Sequence, residues 1–262
     1  MIAWIRIGLA IVTVVLVSLV LMPLHLLLLR LGHPWRNRLP RYWHKAALWA
    51  IGIRVHVHGA AEARRPLMVA ANHSSWLDIL VLASVVDATF VAKSEVRDWP
   101  VFGALARLQR SIFIRRAERR QTGEQADEMA ARLNAGETVV LFPEGTTTDG
   151  NRLGEIKSSL FAAAASAAHF APGGGVHVQP VAVAYTRIHG MAMGHYHRPV
   201  AAWPGDVELM PHLVEVLKTG AIDVDVRFGD TVEVMVGTSR KHVGNFVREQ
   251  LREMLEKSLR GR

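Results

Sequence analysis

A histidine and an aspartate stand five residues apart in a short polar segment. His73 offers an imidazole that can take a proton near neutral pH, and Asp78 offers a carboxylate that can fix its tautomer and stabilise its charged form. On one regular helix the two side chains would diverge, since five residues overshoot one turn. They can meet if His73 lies in a loop and Asp78 in the first turn of the next helix. Such a pair fits proton removal from a hydroxyl, which acyl transfer to an alcohol requires.

The same segment also has a purely structural interpretation. Ser75 and Asp78 have the spacing of an N-terminal capping box, so Asp78 could serve only as a helix cap and His73 as an ordinary loop histidine. The two roles are compatible, because a capping carboxylate can face a histidine just upstream. The residues alone leave both interpretations open.

A second acidic position follows an apolar, strand-like run. Val139–Phe142 is stopped by Pro143, and Glu144 comes next, at the edge of the sheet where ligand sites of open α/β sheets gather. The turn Gly145-Thr146-Thr147-Thr148 offers N–H and hydroxyl donors suited to a phosphate or an oxyanion. In isolation, such a turn is more often a surface turn with a solvated glutamate.

Two cationic positions are predicted at the same edge. Lys93 ends one strand, and Arg116 follows the apolar strand of residues 112–114. A solvated basic face is the usual interpretation of such charges. Their positions after strands nevertheless favour a place beside Glu144.

Composition narrows the class of protein. The chain has 262 residues, 50% of them hydrophobic, a formal net charge of +8 and no cysteine. A disulfide framework, a thiolate nucleophile and a thiolate zinc site are therefore excluded. The basic balance favours anionic partners: lipid headgroups, nucleic acid or an acidic carrier protein. A Gly-x-Ser-x-Gly elbow, a P-loop and a His-Glu-x-x-His site are absent from the sequence, and the His-x-His pairs at 56/58 and 195/197 have no third ligand by spacing, so no metal is predicted.

The N-terminal region indicates a membrane anchor. Residues 7–29 carry no charge and would form a helix of about 34 Å, against a hydrocarbon core of about 30 Å. The run exceeds the apolar region of a usual signal peptide, which favours an uncleaved anchor. Basic residues are more numerous after this segment than before it, which places the C-terminal side in the cytoplasm. Pro23 and the short apolar stretch 46–53 leave both a spanning helix and a hairpin dipping into one leaflet open.

Alternation of strands and helices in the remainder predicts one α/β domain. We expect a membrane anchor and interfacial helix over residues 1–58 and a catalytic domain over residues 59–262. The predicted strands are 54–59, 67–71, 89–92, 111–114, 139–142, 178–184 and 222–228, and the predicted helices start near 75 and cover 121–134, 160–169 and 243–259.

Four segments, taken together, resemble the lysophosphatidic acid acyltransferase family of glycerolipid acyltransferases. The first matches the family pattern Asn-His-x-Ser-x-x-Asp, the second Phe-Ile-x-Arg, the third Phe-Pro-Glu-Gly-Thr-Arg up to its threonine, and the fourth a Val-Pro-Val-type strand. Two lysines match further family positions. The matching residues are Asn72, His73, Ser75 and Asp78; Phe113, Ile114 and Arg116; residues 142–146; residues 178–182; and Lys93 and Lys157.

The resemblance implies a fold, an activity and a location. The fold is a mixed sheet flanked by helices, the glycerolipid acyltransferase α/β fold, with an N-terminal membrane-embedded helical segment. His73 acts as general base with Asp78 as its partner, and Arg116 and the Glu144-Gly145-Thr146 turn hold the acceptor's headgroup. The donor is acyl-CoA or acyl-carrier protein, without a cofactor, a metal or a covalent enzyme intermediate. Membrane lipids are the partners, and the catalytic domain lies on the cytoplasmic face of the inner membrane.

One departure from the family pattern bears on the acceptor. The arginine that usually follows Glu-Gly-Thr is Thr147 here, and an arginine is suited to reading a phosphate. The primary prediction remains 1-acyl-sn-glycerol-3-phosphate giving phosphatidic acid, because Lys93 and Arg116 can still hold a phosphate. The run 144–152 resembles the branch that acylates lyso-ornithine lipid, an aminolipid without phosphate, and this is the alternative acceptor. A non-enzymatic, membrane-tethered protein that binds anionic lipid is the alternative from another class, and no nucleic-acid motif supports that partner.

Overall fold

The computed structural model describes residues 1–114, 122–171, 173–205 and 207–261. Within these ranges nine strands form one mixed sheet, with β1-β8-β6-β2-β5-β3-β4 as its order and β7 and β9 paired to β6. The strands are β1 (Ile53–His58), β2 (Leu67–Ala71), β3 (Ala88–Lys93), β4 (Ile112–Ile114), β5 (Thr138–Leu141), β6 (Gly175–Ile188), β7 (Met191–Ala192), β8 (Ile222–Phe228) and β9 (Val232–Met235).

The centre of the sheet is parallel and buried on both faces. β2 pairs in parallel with β5 and with β6, and β3 pairs in parallel with β5 and β4. Every residue of β2 and β5 is buried, as the continuous apolar sequence of a parallel strand indicates. β8 runs antiparallel to β6 and parallel to β1. Because β2, β3, β4 and β5 are parallel, their carboxyl ends meet at one edge.

Helices cover both faces of the sheet. α2, α3 and α7 contribute to one buried apolar cluster, and α5, α6 and α8 contribute to the other. Successive residues of β2 alternate between the two clusters, as a pleated strand requires. The described helices are α1 (Ile2–Arg30), α2 (Leu39–Ile51), α3 (Leu77–Val85), α4 (Phe102–Leu108), α5 (Thr122–Asn134), α6 (Ala162–Ala168), α7 (Leu209–Thr219) and α8 (Arg240–Leu259). The predicted mixed α/β sheet with flanking helices is thus confirmed.

Most predicted elements have close counterparts, and the differences have physical causes. β8 has its predicted bounds, whereas β6 extends well beyond the predicted 178–184 at both ends. Four elements escaped sequence reasoning: α4, α7, β9 and the two-residue β7. α4 is only 7 residues long, and β9 is 4 residues long with one buried residue, so neither has a long periodic pattern. α7 is amphipathic over 11 residues, and Pro211 inside it obscures the pattern.

Strand β1 belongs to the sheet of the α/β domain. Sequence reasoning placed β1 with the anchor, up to residue 58, but the structure pairs every residue of β1 with β8. Gly52 ends α2 with φ of 86°, a left-handed conformation that glycine adopts without strain. The sheet therefore supports a boundary at Gly52.

The N-terminal helix α1 is long and apolar enough to cross a membrane, and most of its side chains are exposed. It also contacts the catalytic domain near both ends. Arg6 Nη1 donates to the carbonyl of Thr219 at the end of α7, at 2.7 Å. His25 Nε2 lies 3.2 Å from the carbonyl of Leu108 at the end of α4. Since 19 residues of helix separate these contacts by about 28 Å, α1 lies along the domain.

Candidate active site

The catalytic candidates meet at the carboxyl ends of the parallel strands. His73 lies in the loop after β2, Asp78 lies in the first turn of α3, and Glu144 follows β5. β2 and β5 are neighbours in the sheet, which brings the two loops side by side. The structure thus joins segments that are far apart in the sequence.

His73 and Asp78 are in direct contact. His73 Nδ1 lies 2.9 Å from Asp78 Oδ2. An ionised carboxylate only accepts hydrogen bonds, so we assign the proton of the neutral ring to Nδ1, which leaves the lone pair of Nε2 for a substrate. The ring stacks on Phe142, with centroids 3.9 Å apart and planes inclined by 15°. The imidazole is held in one orientation, as a general base requires.

Asp78 is fully buried and accepts four hydrogen bonds. Besides His73, the backbone N–H groups of Ser74 and Ser75 donate to Oδ2 at 2.7 and 2.9 Å. The hydroxyl of Tyr185 donates to Oδ1 at 2.7 Å. A buried carboxylate is tolerated where such donors replace water. Asp78 therefore secures the start of α3 and orients His73 at once, as the two compatible interpretations of the segment allow.

Tyr185 was missed by sequence reasoning. It lies on β6, is 1% exposed, and burial raises the pKa of its hydroxyl well above the usual value. The hydroxyl therefore stays protonated and available as a donor. A tyrosine directly after a run of small apolar residues, 181–184, needs a buried partner for its hydroxyl, and this was the available signal.

Asn72 ties the histidine loop to β6. Its amide nitrogen donates to the carbonyl of Val183 at 2.9 Å, and its amide oxygen accepts from the N–H of Val183 at 2.7 Å. The side chain replaces a pair of strand hydrogen bonds at the point where β2 ends. The asparagine thus fixes where the loop that carries His73 leaves the sheet.

Glu144 turns towards backbone groups rather than towards solvent. Its Oε1 accepts from the N–H of His73 at 2.6 Å, and its Oε2 accepts from the N–H of Gly154 at 2.5 Å. Burial raises the pKa of this carboxyl to about 7, against the opposing effect of the two N–H donors. A Cβ at position 154 would lie 2.5 Å from Oε2, so the close approach requires glycine. Glu144 thereby stabilises the loop that carries His73.

The remainder of the predicted headgroup turn is partly accessible. Gly145 is buried, Thr146 is exposed and Thr147 is half-buried. A Cβ at Gly145 would lie 3.0 Å from the Nζ of Lys157, which places that ammonium beside the turn. The N–H of Thr148 donates to the carbonyl of His73 at 3.0 Å and joins the turn to the histidine loop.

The two predicted cations differ in what the structure describes. Lys93 ends β3, half exposed, with its Nζ 2.8 Å from Glu95 Oε1. It pairs in register with Ile114 of β4. Arg116 lies outside the described residues, so its role stays a prediction.

The His-x-His residues of the first pair have carboxylate partners. His56 Nε2 lies 2.9 Å from Asp223 Oδ1, and His58 Nε2 lies 3.6 Å from Asp225 Oδ2, across β1 and β8. Over the described ranges, groups of three or more residues able to hold a metal ion are not found.

An acyltransferase family model matches residues 53–184, which include the histidine loop, β5 and the Glu144 turn. The chain belongs to the acyltransferase family. It is 56% identical over 262 residues to the lyso-ornithine lipid O-acyltransferase of Rhizobium meliloti (strain 1021), covering all of this chain and 90% of the relative. It is 50% identical to the enzyme of that name from Brucella abortus (strain 2308), covering 98% of the relative.

Relatives whose names give a different acceptor match a smaller share of this chain. The 1-acyl-sn-glycerol-3-phosphate acyltransferase of Neisseria gonorrhoeae is 37% identical over 133 residues, half of this chain and 52% of the relative. The crystal structure of the lysophosphatidic acid acyltransferase PlsC from Thermotoga maritima shares the fold with a TM-score of 0.62 at 23% identity, covering 87% of this chain and 81% of that one. These findings confirm the predicted class, a lysolipid O-acyltransferase.

Proposed function

We propose that this enzyme moves a fatty acyl chain from acyl-carrier protein or acyl-CoA to the hydroxyl of lyso-ornithine lipid, with His73 as general base. The contact between His73 and buried Asp78 carries the chemistry. The assignment of the acceptor rests on the similarity of the whole chain to two lyso-ornithine lipid acyltransferases.

The geometry supports direct transfer. His73 Nε2 takes the proton of the acceptor hydroxyl as its oxygen attacks the thioester carbonyl. The tetrahedral intermediate then breaks its carbon–sulfur bond, and the imidazolium returns the proton to the departing thiolate. Asp78 stabilises the positive ring between these steps, as a carboxylate does in a catalytic triad. The ester and the free thiol are the products, and no cofactor takes part.

A carboxylate near the turn suits an ammonium-bearing acceptor. Asp149 follows Thr148, is half-buried, and accepts from the N–H and the side-chain amide of Asn151 at 2.9 and 3.1 Å. Ornithine carries an ammonium group, which a carboxylate attracts and a phosphate reader would repel. Asp149 together with Thr147, where the family pattern has arginine, therefore favours an aminolipid.

Lysophosphatidic acid is the second candidate acceptor. The observation in its favour is the ammonium of Lys157 beside Gly145, at the same edge of the sheet as Lys93. Both cations can neutralise a phosphate without an arginine at position 147. This was the primary prediction from the sequence.

We also propose that α1 lies in one leaflet on the cytoplasmic side of the inner membrane. The contacts of Arg6 and His25 hold both ends of the helix to the catalytic domain, and the indole N–H of Trp43 donates to Ser18 Oγ at 2.9 Å between them. The exposed apolar face of α1 is left to contact lipid.

The test is acyl transfer by purified protein, with lyso-ornithine lipid and lysophosphatidic acid offered side by side and each thioester donor tried in turn. We expect a higher kcat/KM with lyso-ornithine lipid. Asp149→Asn should raise KM for that acceptor at least fivefold and leave KM for lysophosphatidic acid unchanged, whereas exposed Asp230→Asn should change neither. A higher kcat/KM with lysophosphatidic acid would overturn the proposed acceptor, and no product from either would overturn the activity.

A further inference from the structure

A cavity lies at the opposite edge of the sheet from His73. It has a volume of about 280 Å³ and is lined by the connection between α1 and α2, by the end of α3, and by the amino ends of β3 and β5. β2 separates the two edges, and five residues of strand span on the order of 15 Å. The cavity is therefore separate from the acyl-transfer site.

The walls of this cavity carry an excess of positive charge. Five arginines face two carboxylates there: Arg36, Arg38, Arg41, Arg65 and Arg110, with Asp87 and Glu137. Glu137 is already engaged by Arg110 at 2.7 Å, by Arg132 at 3.3 Å and by the hydroxyl of Thr89 at 2.7 Å. Of the charged residues that line the cavity, four arginines and Asp87 then remain outside this cluster.

The remaining four arginines share one carboxylate, because Asp87 interacts electrostatically with Arg38, Arg41 and Arg65. Among the described residues, Arg36 and Arg38 form no hydrogen bond or ion pair through their side chains. Arg41 uses Nε to donate to the carbonyl of Ser84 at 3.0 Å, and Arg65 Nη1 donates to the carbonyl of Glu62 at 2.6 Å. Asp87 has an oxygen that is buried without a hydrogen-bond partner. Guanidinium groups in this state are suited to a phosphate, which they bind through parallel N–H donors.

An apolar slot adjoins the arginine cavity. It lies between α1, α2 and α4, and its walls include Leu21, Trp43 and Leu105. The two cavities share His25, Pro40, Leu108 and Gln109. His25 is 8% exposed, its Nε2 contacts the carbonyl of Leu108, and its Nδ1 is buried without a partner. Since Nε2 must donate to that carbonyl, the neutral ring presents Nδ1 as an acceptor, which a headgroup hydroxyl can satisfy.

We propose that the arginine cavity binds the phosphate headgroup of an anionic membrane phospholipid, with the first carbons of an acyl chain in the apolar slot, whose volume is about 50 Å³. Three observations agree on this occupant: an excess of guanidinium groups over carboxylates, a contiguous apolar slot, and the exposed apolar face of α1, which borders both. A soluble phosphate would fill only the arginine cavity and leave the apolar slot empty. The bound lipid is a ligand of the anchor region and not a substrate.

The test measures binding of fluorescent phosphatidylglycerol to the full chain in micelles of a non-ionic detergent. The variant Arg36→Gln/Arg38→Gln removes two cavity charges. As the control, Arg252→Gln/Arg260→Gln removes two exposed charges, one in α8 and one directly after it. We expect the wild type to prefer phosphatidylglycerol to phosphatidylcholine at least tenfold. The cavity variant should lose this preference, while the control stays within twofold of the wild type. Acyl transfer in the same micelles confirms that both variants fold.

Two further arms separate a lipid site from a phosphate site. Leu105→Trp fills the apolar slot without changing charge, and should weaken phosphatidylglycerol at least fivefold but leave glycerol 3-phosphate unchanged. Inorganic phosphate alone should bind at least a hundredfold more weakly than the lipid. Equal losses in the cavity and control variants, no preference for the anionic lipid, or phosphate binding as tight as lipid binding would each overturn the proposal.

Discussion

The two edges of the central sheet differ in whether their polar side chains have hydrogen-bond partners. At the carboxyl edge, Asp78 has four donors and both oxygens of Glu144 are paired with backbone N–H groups. At the amino edge, Arg36, Arg38 and an oxygen of Asp87 lack close partners among the described residues. Paired buried groups hold a fixed geometry. Arg36 is half-buried and Arg38 is exposed, so their guanidinium groups are hydrated and available to a ligand, whereas the unpaired oxygen of Asp87 is buried. The comparison separates a site arranged for chemistry from one arranged for binding.

One helix joins the two edges. Asp78 lies in the first turn of α3, and the carbonyl of Ser84 in its last turn accepts from Arg41 in the wall of the arginine cavity. A variant that disturbs one edge should therefore be checked at the other. The following predictions, from the largest expected effect to the smallest, use this contrast.

His73→Ala removes the base at the carboxyl edge. We expect kcat to fall by about 10⁴-fold, the upper range for general-base catalysis, with lysolipid binding retained. Initial rates with radiolabelled donor measure this, with exposed His242→Ala as the control. Retained activity would remove His73 from the mechanism.

Asp78→Asn keeps the size of the side chain and removes its negative charge. Because Oδ2 accepts from the N–H groups of Ser74 and Ser75 as well as from His73, the amide oxygen takes its place and the amide nitrogen faces the hydroxyl of Tyr185, which can accept. The imidazolium then lacks its carboxylate partner, and we expect kcat to fall by about 10³-fold, the upper range for the loss of one electrostatic stabiliser of the transition state. The rate should be measured beside a thermal melt, and an unchanged kcat in a folded variant would contradict the role of the carboxylate charge.

Tyr185→Phe deletes one of the four donors to Asp78. We expect kcat to fall by about tenfold with KM unchanged, and the free energy of unfolding to fall by about 1–3 kcal/mol, since a buried charged acceptor loses a partner. Tyr196→Phe, at an exposed tyrosine, is the matched control. A change confined to KM would show that Tyr185 contacts the acceptor instead of positioning Asp78.

Glu144→Gln tests how the buried carboxyl of Glu144 affects the pH dependence of the free energy of unfolding. Because burial raises the pKa of Glu144 to about 7 from an ordinary 4.5, the folded state holds more protons than the unfolded state between these values. Its contribution to the free energy of unfolding therefore falls as pH rises from about 4.5 to about 7, by about 3 kcal/mol in all. The difference in stability between wild type and Glu144→Gln should change over this interval and be constant above pH 8. Parallel melting curves across the range would contradict the raised pKa.

Local patterns predicted much of this arrangement. The loop and first helical turn that let His73 meet Asp78 follow from Ser75 and the apolar run after it, and the strands that carry them follow from apolar runs ended by polar turns. Glu144 was placed at the correct edge, but its burial against Gly154 was not foreseen. Its partners depend on how two loops cross, which no short pattern records.

Contacts between distant segments were the ones that escaped. Tyr185 meets Asp78 across 107 residues, and its strand matches the pattern of an ordinary buried strand. The arginine cavity combines residues from the α1–α2 connection with Arg65 and the end of α4, and in the sequence the first of these groups indicated only membrane orientation. Arg116 stays a prediction, since it lies outside the described residues.

The most direct test of the central claim, that His73 and Asp78 act as one base, is a double-mutant cycle of kcat. Rates would be measured for wild type, His73→Ala, Asp78→Asn and the double variant, with lysolipid binding checked in each sample. Residues that act as a unit give strongly non-additive losses. We predict that the double variant is no more than about threefold slower than His73→Ala. If the two losses of kcat multiply instead, the double variant would be about 10³-fold slower than His73→Ala. That result would contradict a shared role and show that each residue acts alone.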